Sequence, residues 1–318
     1  MKPPYEITHK IVYLYGQITE ALGMCKSLLL EKPDAKLRRQ NRIKTIHSSL
    51  AIEGNTLNLD HVTAIMDHKH VIGPRKDIIE VQNAVKAYEQ LTRFHPFSVS
   101  DFLKAHQILM RGLVEQAGHF RTKQVGIING DEVRHVAPGY DKVPDLMRGL
   151  FDYLQNDSDL DIIKSCVFHY EVEFIHPFED GNGRMGRYWH TRLLMKVNPL
   201  FEYVPVEEAI KNHQAAYYDA LAKSDRAGMS TMFVEFMLEV INQSLRQTID
   251  ESRALNVNFQ KRTEYALSKL NDWFDRKEYM KINKGISTAT ASRDLKQLLE
   301  KGIILSSGEG RMMKYMKK

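Results

Sequence analysis

The sequence predicts a mainly α chain, in which one β-hairpin interrupts a large helical region and a small winged helix-turn-helix follows it. Three observations point there. Apolar residues recur at three- and four-residue spacing through most of the first 250 residues, an Asn-Gly pair lies between two short β-like runs, and the basic charge is concentrated beyond residue 260. At 318 residues, 43% hydrophobic and 27% charged, the chain has the length for one large domain plus a small one and the composition of a water-soluble protein.

Taken in order, Ile7, Ile11, Val12, Tyr15, Ile18, Leu22, Cys25 and Leu29 trace the apolar stripe of a long helix that Pro33 stops. Ile43, Ile46 and Leu50 repeat the pattern up to Gly54, a helix breaker. Asp60 is a candidate cap for a short helix over 61–68; a further helix covers 77–93, and Ser100 is a candidate cap for 101–116. Gln124–Ile128 and Glu132–Val136 flank Asn129-Gly130-Asp131, a strong hairpin signal. Helices are expected again from Pro144 and over 159–174, 184–196, 207–223 and 229–254. Beyond these, 264–274 reads as a helix and 282–285 as a turn. Ser287 or Thr288 can cap 289–300, with Leu295, Leu298 and Leu299 inward, and strands over 303–305 and 312–316 form the wing.

No window reaches ~18 uninterrupted apolar residues, and the start, Met1-Lys2-Pro3-Pro4-Tyr5-Glu6, has no apolar signal core, so a cytoplasmic protein without a membrane partner is expected. Cys25 and Cys166 sit among apolar residues and read as small core hydrophobes in a reducing compartment. Residues 261–318 hold 14 Lys and Arg against 7 Asp and Glu, a balance of +7, while residues 1–260 hold 31 against 33. This basic module suits a polyanionic partner, with a merely solvated basic face as the plain alternative.

The segment richest in chemistry is His176-Pro177-Phe178-Glu179-Asp180-Gly181-Asn182-Gly183-Arg184-Met185-Gly186-Arg187. An amphipathic helix (Ile163, Cys166, Val167, Tyr170, Phe174) ends at its start and another begins near Gly183, so the turn feeds a helix N-terminus, where unpaired N–H groups and the positive dipole end favour anions. Gly181 and Gly183 allow close approach of phosphates, and Arg184 and Arg187, three apart, can clamp them through planar forks. Asp180 is a hard oxygen ligand where Mg²⁺ bridging two phosphates would sit. The imidazole of His176, with an ordinary pKa near ~6.5, suits removal of a proton from an attacking hydroxyl. Phe178 is expected inward, as the anchor of the turn. Each feature alone has an ordinary structural reading; their order within twelve residues points to nucleotide-phosphate chemistry.

This stretch resembles, position for position, the Fic (filamentation induced by cAMP) signature His-Pro-Phe-x-Asp-Gly-Asn-Gly-Arg-x-x-Arg, and the order of elements over about residues 1–250 is similar to that family. The resemblance implies a Fic-type helical core with a hairpin flap, and transfer of AMP from ATP to a Tyr, Ser or Thr hydroxyl of a target protein with release of pyrophosphate. It further implies His176 as general base, Asp180 as metal ligand, Asn182 at the α-phosphate, Gly181, Gly183 and Arg184 around the α- and β-phosphates, and Arg187 at the γ-phosphate. The hairpin would be the flap, with Val125, Gly126, Ile127 and Ile128 beside the nucleotide and an open edge to pair with a target segment. Tyr217, in Ala215-Ala216-Tyr217-Tyr218, resembles a residue placed near the adenine, an interior tyrosine being the plain alternative. Doc-like kinases of the family carry a lysine at the second loop glycine; here Gly183 and both arginines favour nucleotidyl transfer.

Ser49-Leu50-Ala51-Ile52-Glu53-Gly54-Asn55 resembles the family's inhibitory motif [Ser/Thr]-x-x-x-Glu-[Gly/Asn]. That likeness implies an inhibitory helix over about 43–54 whose Glu53 pairs with Arg187 and displaces the γ-phosphate. The expected organisation is an N-terminal helical region over 1–95, a catalytic core over 96–250 and a winged helix over 261–318. Alternatives left open are a DNA-binding regulator acting through 261–318, a protein-binding role or homodimer contact for that module, a nucleotide donor other than ATP, and removal of AMP.

Overall fold

The structure, a computed structural model, describes residues 2–27, 35–129, 132–283, 286–308 and 313–318, with the side chains of 26–27, 126–136 and 253–258 outside that description. Its helices are α1 (His9–Ser27), α2 (Ala35–Ile52), α3 (Leu59–Met66), α4 (Arg75–Glu89), α5 (Val99–Leu109), α6 (Val143–Asn156), α7 (Asp161–Ile175), α8 (Asn182–Val197), α9 (Val206–Asn212), α10 (Gln214–Ala227), α11 (Thr231–Lys269), α12 (Arg276–Ile282) and α13 (Thr288–Glu300). Strands β1 (Gly126–Asn129) and β2 (Glu132–Val136) form the hairpin, and β3 (Trp273–Phe274), β4 (Ile304–Ser307) and β5 (Lys314–Lys317) form the second sheet. The chain divides into two compact units, Met1–Ile249 and Asp250–Lys318, the division falling within α11.

In the first unit α7 and α8 pack along each other. α7 is buried nearly all round, from Ile162 to Val172, taking Lys164, Ser165 and His169 into the interior with its apolar residues. Its one buried lysine, Lys164, donates to the carbonyls of Leu154 and Asp157 and pairs with Asp161 at 3.0 Å. α8 brings Trp189 against Phe102 and Phe151, with ring centroids 5.2 and 6.2 Å apart, and Phe102 stacks on Phe178 at 5.5 Å. These aromatic contacts fix the loop between α7 and α8 to α5 and α6. Cys25 and Cys166 are both buried, and burial pushes the Cys166 thiol up to about 12.

Several local expectations are corrected. Asn58, not Asp60, caps α3, its side chain accepting from the His61 N–H at 2.9 Å; Asp60 lies inside the first turn. Ser98, not Ser100, caps α5, accepting from Asp101 N–H at 3.2 Å, and the helix ends at Leu109 rather than 116. The helix expected over 207–223 is two, broken at His213 (φ −119°). The helices expected over 229–254 and 264–274 are one, α11, because 231–269 contains neither Gly nor Pro to stop it, and Trp273–Phe274 is instead a strand. Pro33, Leu29 and the Gly130-Asp131 turn lie outside the described residues, as do Lys284-Gly285 and Met312.

The hairpin pairs Gly126 with Val136, Ile127 with His135, Ile128 with Val133 and Asn129 with Glu132; Arg134 is the extra residue of a bulge, which increases local twist. In the second unit the order helix, strand, helix, helix, strand, strand and the antiparallel sheet order β3-β5-β4 are those of a winged helix-turn-helix. Ser287 caps α13, accepting from Thr290 N–H, and an Asp275–Glu278 capping box starts α12. Leu295 and Leu298 of α13 pack on Phe274, Tyr279 and Ile304, while Leu299 lies at the edge of this core. Among the described residues no helix is long and apolar enough to cross a membrane.

Candidate active site

α7 stops at His176, which takes a left-handed conformation, φ 50° and ψ 60°, unusual for a residue with a Cβ, and the proline that follows disfavours continuing the right-handed helix there. Arg121 holds this bend: its Nε donates to the His176 carbonyl at 2.8 Å, its Nη2 to that of Ile175 at 3.3 Å, and its backbone N–H to that of Pro177 at 2.9 Å. The Nδ1 of His176 lies 3.4 Å from the Glu173 carbonyl. A carbonyl only accepts, so that contact puts the proton on Nδ1 and the basic lone pair on Nε2. The half-buried imidazole thus stands at the loop entrance in the tautomer a proton acceptor requires.

The rest of the loop is braced from within. Phe178 is fully buried, stacked on His106 with centroids 3.6 Å apart. His106 accepts from Gly118 N–H at Nδ1 (2.8 Å), so Nε2–H donates to the Asp180 carbonyl at 3.0 Å. Burial lowers its pKa to about 4, which keeps this bridge neutral. Asn182 accepts from Phe178 N–H at 2.8 Å and donates to its carbonyl at 2.9 Å. The Asn182 side chain therefore closes the loop instead of reaching outward, and what that residue can present to an α-phosphate in this arrangement is its backbone N–H.

Gly181 caps α8 in the left-handed region at φ 87°, where a Cβ would lie 2.7 Å from Met110 Sδ. A Cβ at Gly183 would fall 2.5 Å from Glu53 Oε1, so the second loop glycine is where the glutamate makes its close approach. Asp180, half exposed, accepts from Gly181 N–H at 2.6 Å and pairs with Arg184 at 3.0 Å, both on Oδ1. Among the described residues no three His, Cys, Asp or Glu side chains cluster as metal ligands. One exposed carboxylate at a phosphate cradle suits Mg²⁺, which takes few protein ligands and completes its shell with phosphate and water.

Both arginines are buried and engaged by carboxylates. Arg187 is 1% exposed; its Nη2 donates to Glu53 Oε1 at 2.7 Å and to the Ser49 carbonyl at 2.9 Å, and its Nε to Ser49 Oγ at 3.3 Å. Burial works against its charge, but Glu53, Tyr217 and Glu173 more than reverse this and hold its proton affinity above the usual value. Arg184 pairs with Glu80 at 2.9 Å as well as with Asp180, and its buried Nε has no partner among the described residues. The two phosphate-clamping candidates thus lie on one helix turn, one facing α2 and the other α4.

Tyr217 is an interior residue, 1% exposed: its hydroxyl accepts from His169 Nε2–H at 3.1 Å and donates to Glu173 at 3.2 Å. The plain alternative for this residue is the one the packing favours, and the exposed aromatic beside it is Tyr218, whose hydroxyl reaches the Ile52 carbonyl at 3.4 Å. Val125 is half-buried at the foot of the hairpin; the side chains of Gly126–Ile128 lie outside the described residues. Sequence reading missed Asp77, Glu80, His106, Arg121 and Glu173. Asp77 and Glu80 at i, i+3 on an otherwise amphipathic helix are the one pattern that signals a shared polar partner. Glu173 is pushed up to about 7 by burial, with Arg187 pulling it down and Glu53 adding to the rise.

With this geometry in place, similarity to known proteins is informative. The Fic/DOC family pattern matches residues 96–194. Protein adenylyltransferase fic-1 of Caenorhabditis briggsae is 28% identical over 237 residues, covering 70% of this chain, and protein adenylyltransferase Fic of Culex quinquefasciatus is 29% identical over 227 residues. The chain spans 44% and 43% of those two proteins' lengths, less than half of each. Fic-1 (residues 134–508) from Caenorhabditis elegans shares the fold, with a TM-score of 0.62 at 23% identity over 77% of this chain and 72% of that one. The crystal structure of a Fic family protein from Desulfovibrio desulfuricans G20 is 38% identical and superposes with a TM-score of 0.76 across 100% of this chain and 98% of that one. Likeness at that identity along the whole of both chains makes this protein a member of the Fic/DOC family.

Proposed function

We propose that the protein is an adenylyltransferase that moves AMP from ATP to a hydroxyl side chain of a target protein and is restrained by Glu53. The observation that carries this reading is the seating of Glu53 on Arg187, 2.7 Å apart, at a helix N-terminus otherwise built to receive phosphates. In the reaction the acceptor oxygen forms a bond to the α-phosphorus, the bond to the bridging oxygen toward the β-phosphate breaks, and pyrophosphate leaves. The acceptor's proton passes to His176 Nε2. Backbone N–H groups of the first turn of α8 and the Arg184 fork hold the phosphates, stabilising charge that grows in the transition state. Asp180 is the residue that would hold Mg²⁺, which supplies charge neutralisation on the leaving pyrophosphate. The open edges of the β1–β2 ribbon suit strand addition by the segment carrying the acceptor.

With Glu53 in place a γ-phosphate has no fork to meet and faces a carboxylate, so ATP is held out of line for attack. Intact mass of Glu53→Gly after incubation with each nucleoside triphosphate and Mg²⁺ tests the proposal. One added AMP from ATP alone is expected; a different nucleotide adduct moves the reading to another donor, and no adduct, on itself or on lysate proteins, removes it.

A second reading concerns residues 250–318, where the winged topology and the basic surplus together favour duplex DNA as a partner of the full chain. Ser287, Thr288 and Ala289 lie exposed at the start of α13 and Lys296 farther along it. Electrophoretic mobility shifts of the full chain on duplex DNA should weaken steeply with salt and weaken again in Lys296→Ala. Binding indifferent to salt, or none at low salt, sinks this reading.

A further inference from the structure

The turn that follows Glu53 is held by two buried carboxylates of α4. Glu53 and Asn55 N–H both donate to the Leu50 carbonyl and Gly54 N–H to that of Ala51, so α2 ends in a tight turn, with Gly54 at φ 87°. Immediately beyond it, Asn55 Nδ2 donates to Glu80 Oε2 at 2.8 Å and to the Asp77 carbonyl at 3.1 Å. Thr56 donates twice to Asp77 Oδ2, from its N–H at 2.8 Å and from its hydroxyl at 2.5 Å. Asn55 Oδ1 in turn accepts from Leu57 N–H at 3.1 Å. Asp77 is 9% and Glu80 6% exposed, so these are strong bonds sheltered from water, and their geometry is costly to change.

Glu80 has a second engagement: its Oε1 pairs with Arg184 at 2.9 Å. One carboxylate therefore ties the turn behind Glu53 to the arginine one helical turn from Arg187. The Ile52 carbonyl is separately held from α10 by Gln214 at 3.2 Å and Tyr218 at 3.4 Å, which secures the helix end but not the residues after it.

We infer that Asp77 and Glu80 are positioning residues of the Glu53–Arg187 contact, a clasp on Asn55 and Thr56 that holds the Glu53 turn against the loop. The inference rests on the proposed restraint by Glu53. A carboxylate at the frayed end of a helix would otherwise spend much of its time in water, and a 2.7 Å pairing with a buried guanidinium requires its backbone to be fixed. The clasp also links the two arginines.

Asn55→Ala tests this without altering Glu53, the loop or either arginine. Amide hydrogen exchange at residues 53–55 should quicken about tenfold, and self-labelling with ATP and Mg²⁺ should rise severalfold, below the level of Glu53→Gly. Added to Glu53→Gly, the substitution should change labelling less than about twofold, since no restraint is left to loosen. Thr56→Val, which removes only the hydroxyl bond to Asp77, should show the same pattern more weakly and guards against a folding defect in the first variant. Unchanged exchange at 53–55 overturns the clasp. So does faster exchange without added label while Glu53→Gly is active, or an equal change of label in both backgrounds. If Glu53→Gly itself stays at the wild-type level, the restraint by Glu53 is what fails, and the exchange measurement still decides whether the clasp holds the turn.

Discussion

In the C-terminal unit the buried carboxylate of Asp294 accepts from Arg262 Nε and Nη2 at 2.7 and 2.8 Å and from the Tyr279 hydroxyl at 2.9 Å. Around the 176–187 loop, Arg187, Arg184, Glu53, Glu80, Asp180 and Glu173 crowd together with less complete satisfaction: Arg184 Nε and His169 Nδ1 are buried without a partner among the described residues, and His176 is held in a strained conformation. The first arrangement is closed, one planar fork on one carboxylate, and it stabilises a small core that has few apolar residues to spend. The second is open to exchange. On the proposed reading its arginines are held by carboxylates that an anionic ligand would displace, and strain and unpaired polar atoms are the kind of feature that functional sites retain. Buried ion pairs of similar length can thus serve opposite ends, and completeness of hydrogen bonding is what separates them.

Four measurements test whether the two arrangements differ in this way. The largest effect is expected from His176→Ala, which should lower labelling of Glu53→Gly by about 10²–10⁴-fold, the usual worth of a positioned general base, with little change in melting temperature. A loss under tenfold would make the strained histidine a structural feature like Asp294. Next, Asp294→Ala should destabilise the C-terminal unit by about 3 kcal/mol, the lower end for breaking a buried pair because Arg262 keeps some access to water. Chemical denaturation reads this, and an unchanged curve would deny the closed pair its structural role.

Glu53→Gly should raise self-labelling about tenfold or more, a difference of ~1.4 kcal/mol between the seated and released states. Equal labelling would place the Glu53–Arg187 pair with the structural bridges. The smallest effect concerns pH. Burial raises the Glu173 carboxyl to about 7, so between the unfolded value near ~4.3 and that folded value the native state binds the extra proton. Its contribution is present in acid and is lost as pH rises through about 7. Glu173→Gln should therefore flatten the fall in stability across that range, by about 1–2 kcal/mol at pH 8, in melting curves taken from pH 5 to 8. A parallel pair of curves would show that Glu173 is ionised throughout.

Much of the site was legible because its information is local. Loop glycines, a proline after the histidine and arginines at i, i+3 state their geometry within one stretch of chain, and Phe178 was expected inward and is fully buried. Asp60 and Ser100 are expected as caps where Asn58 and Ser98 serve, because all four are good cap residues and only the turn's path selects among them. Tyr217 and Tyr218 are adjacent and chemically alike, so which one turns inward depends on α10's contact with His169 and Phe233. The single long α11 runs where two helices are expected, because the shift in charge balance near residue 261 is no helix breaker and 231–269 holds neither Gly nor Pro.

The helical class, the hairpin, the basic winged module and an anion-ready turn are all written locally in the chain, since each follows from periodicity, turn chemistry or spacing within a few residues. The family likeness already implied that Glu53 meets Arg187, 134 residues away. That Glu80 meets Arg184 across 104 residues follows from how α4 and α8 pack, which no local pattern encodes.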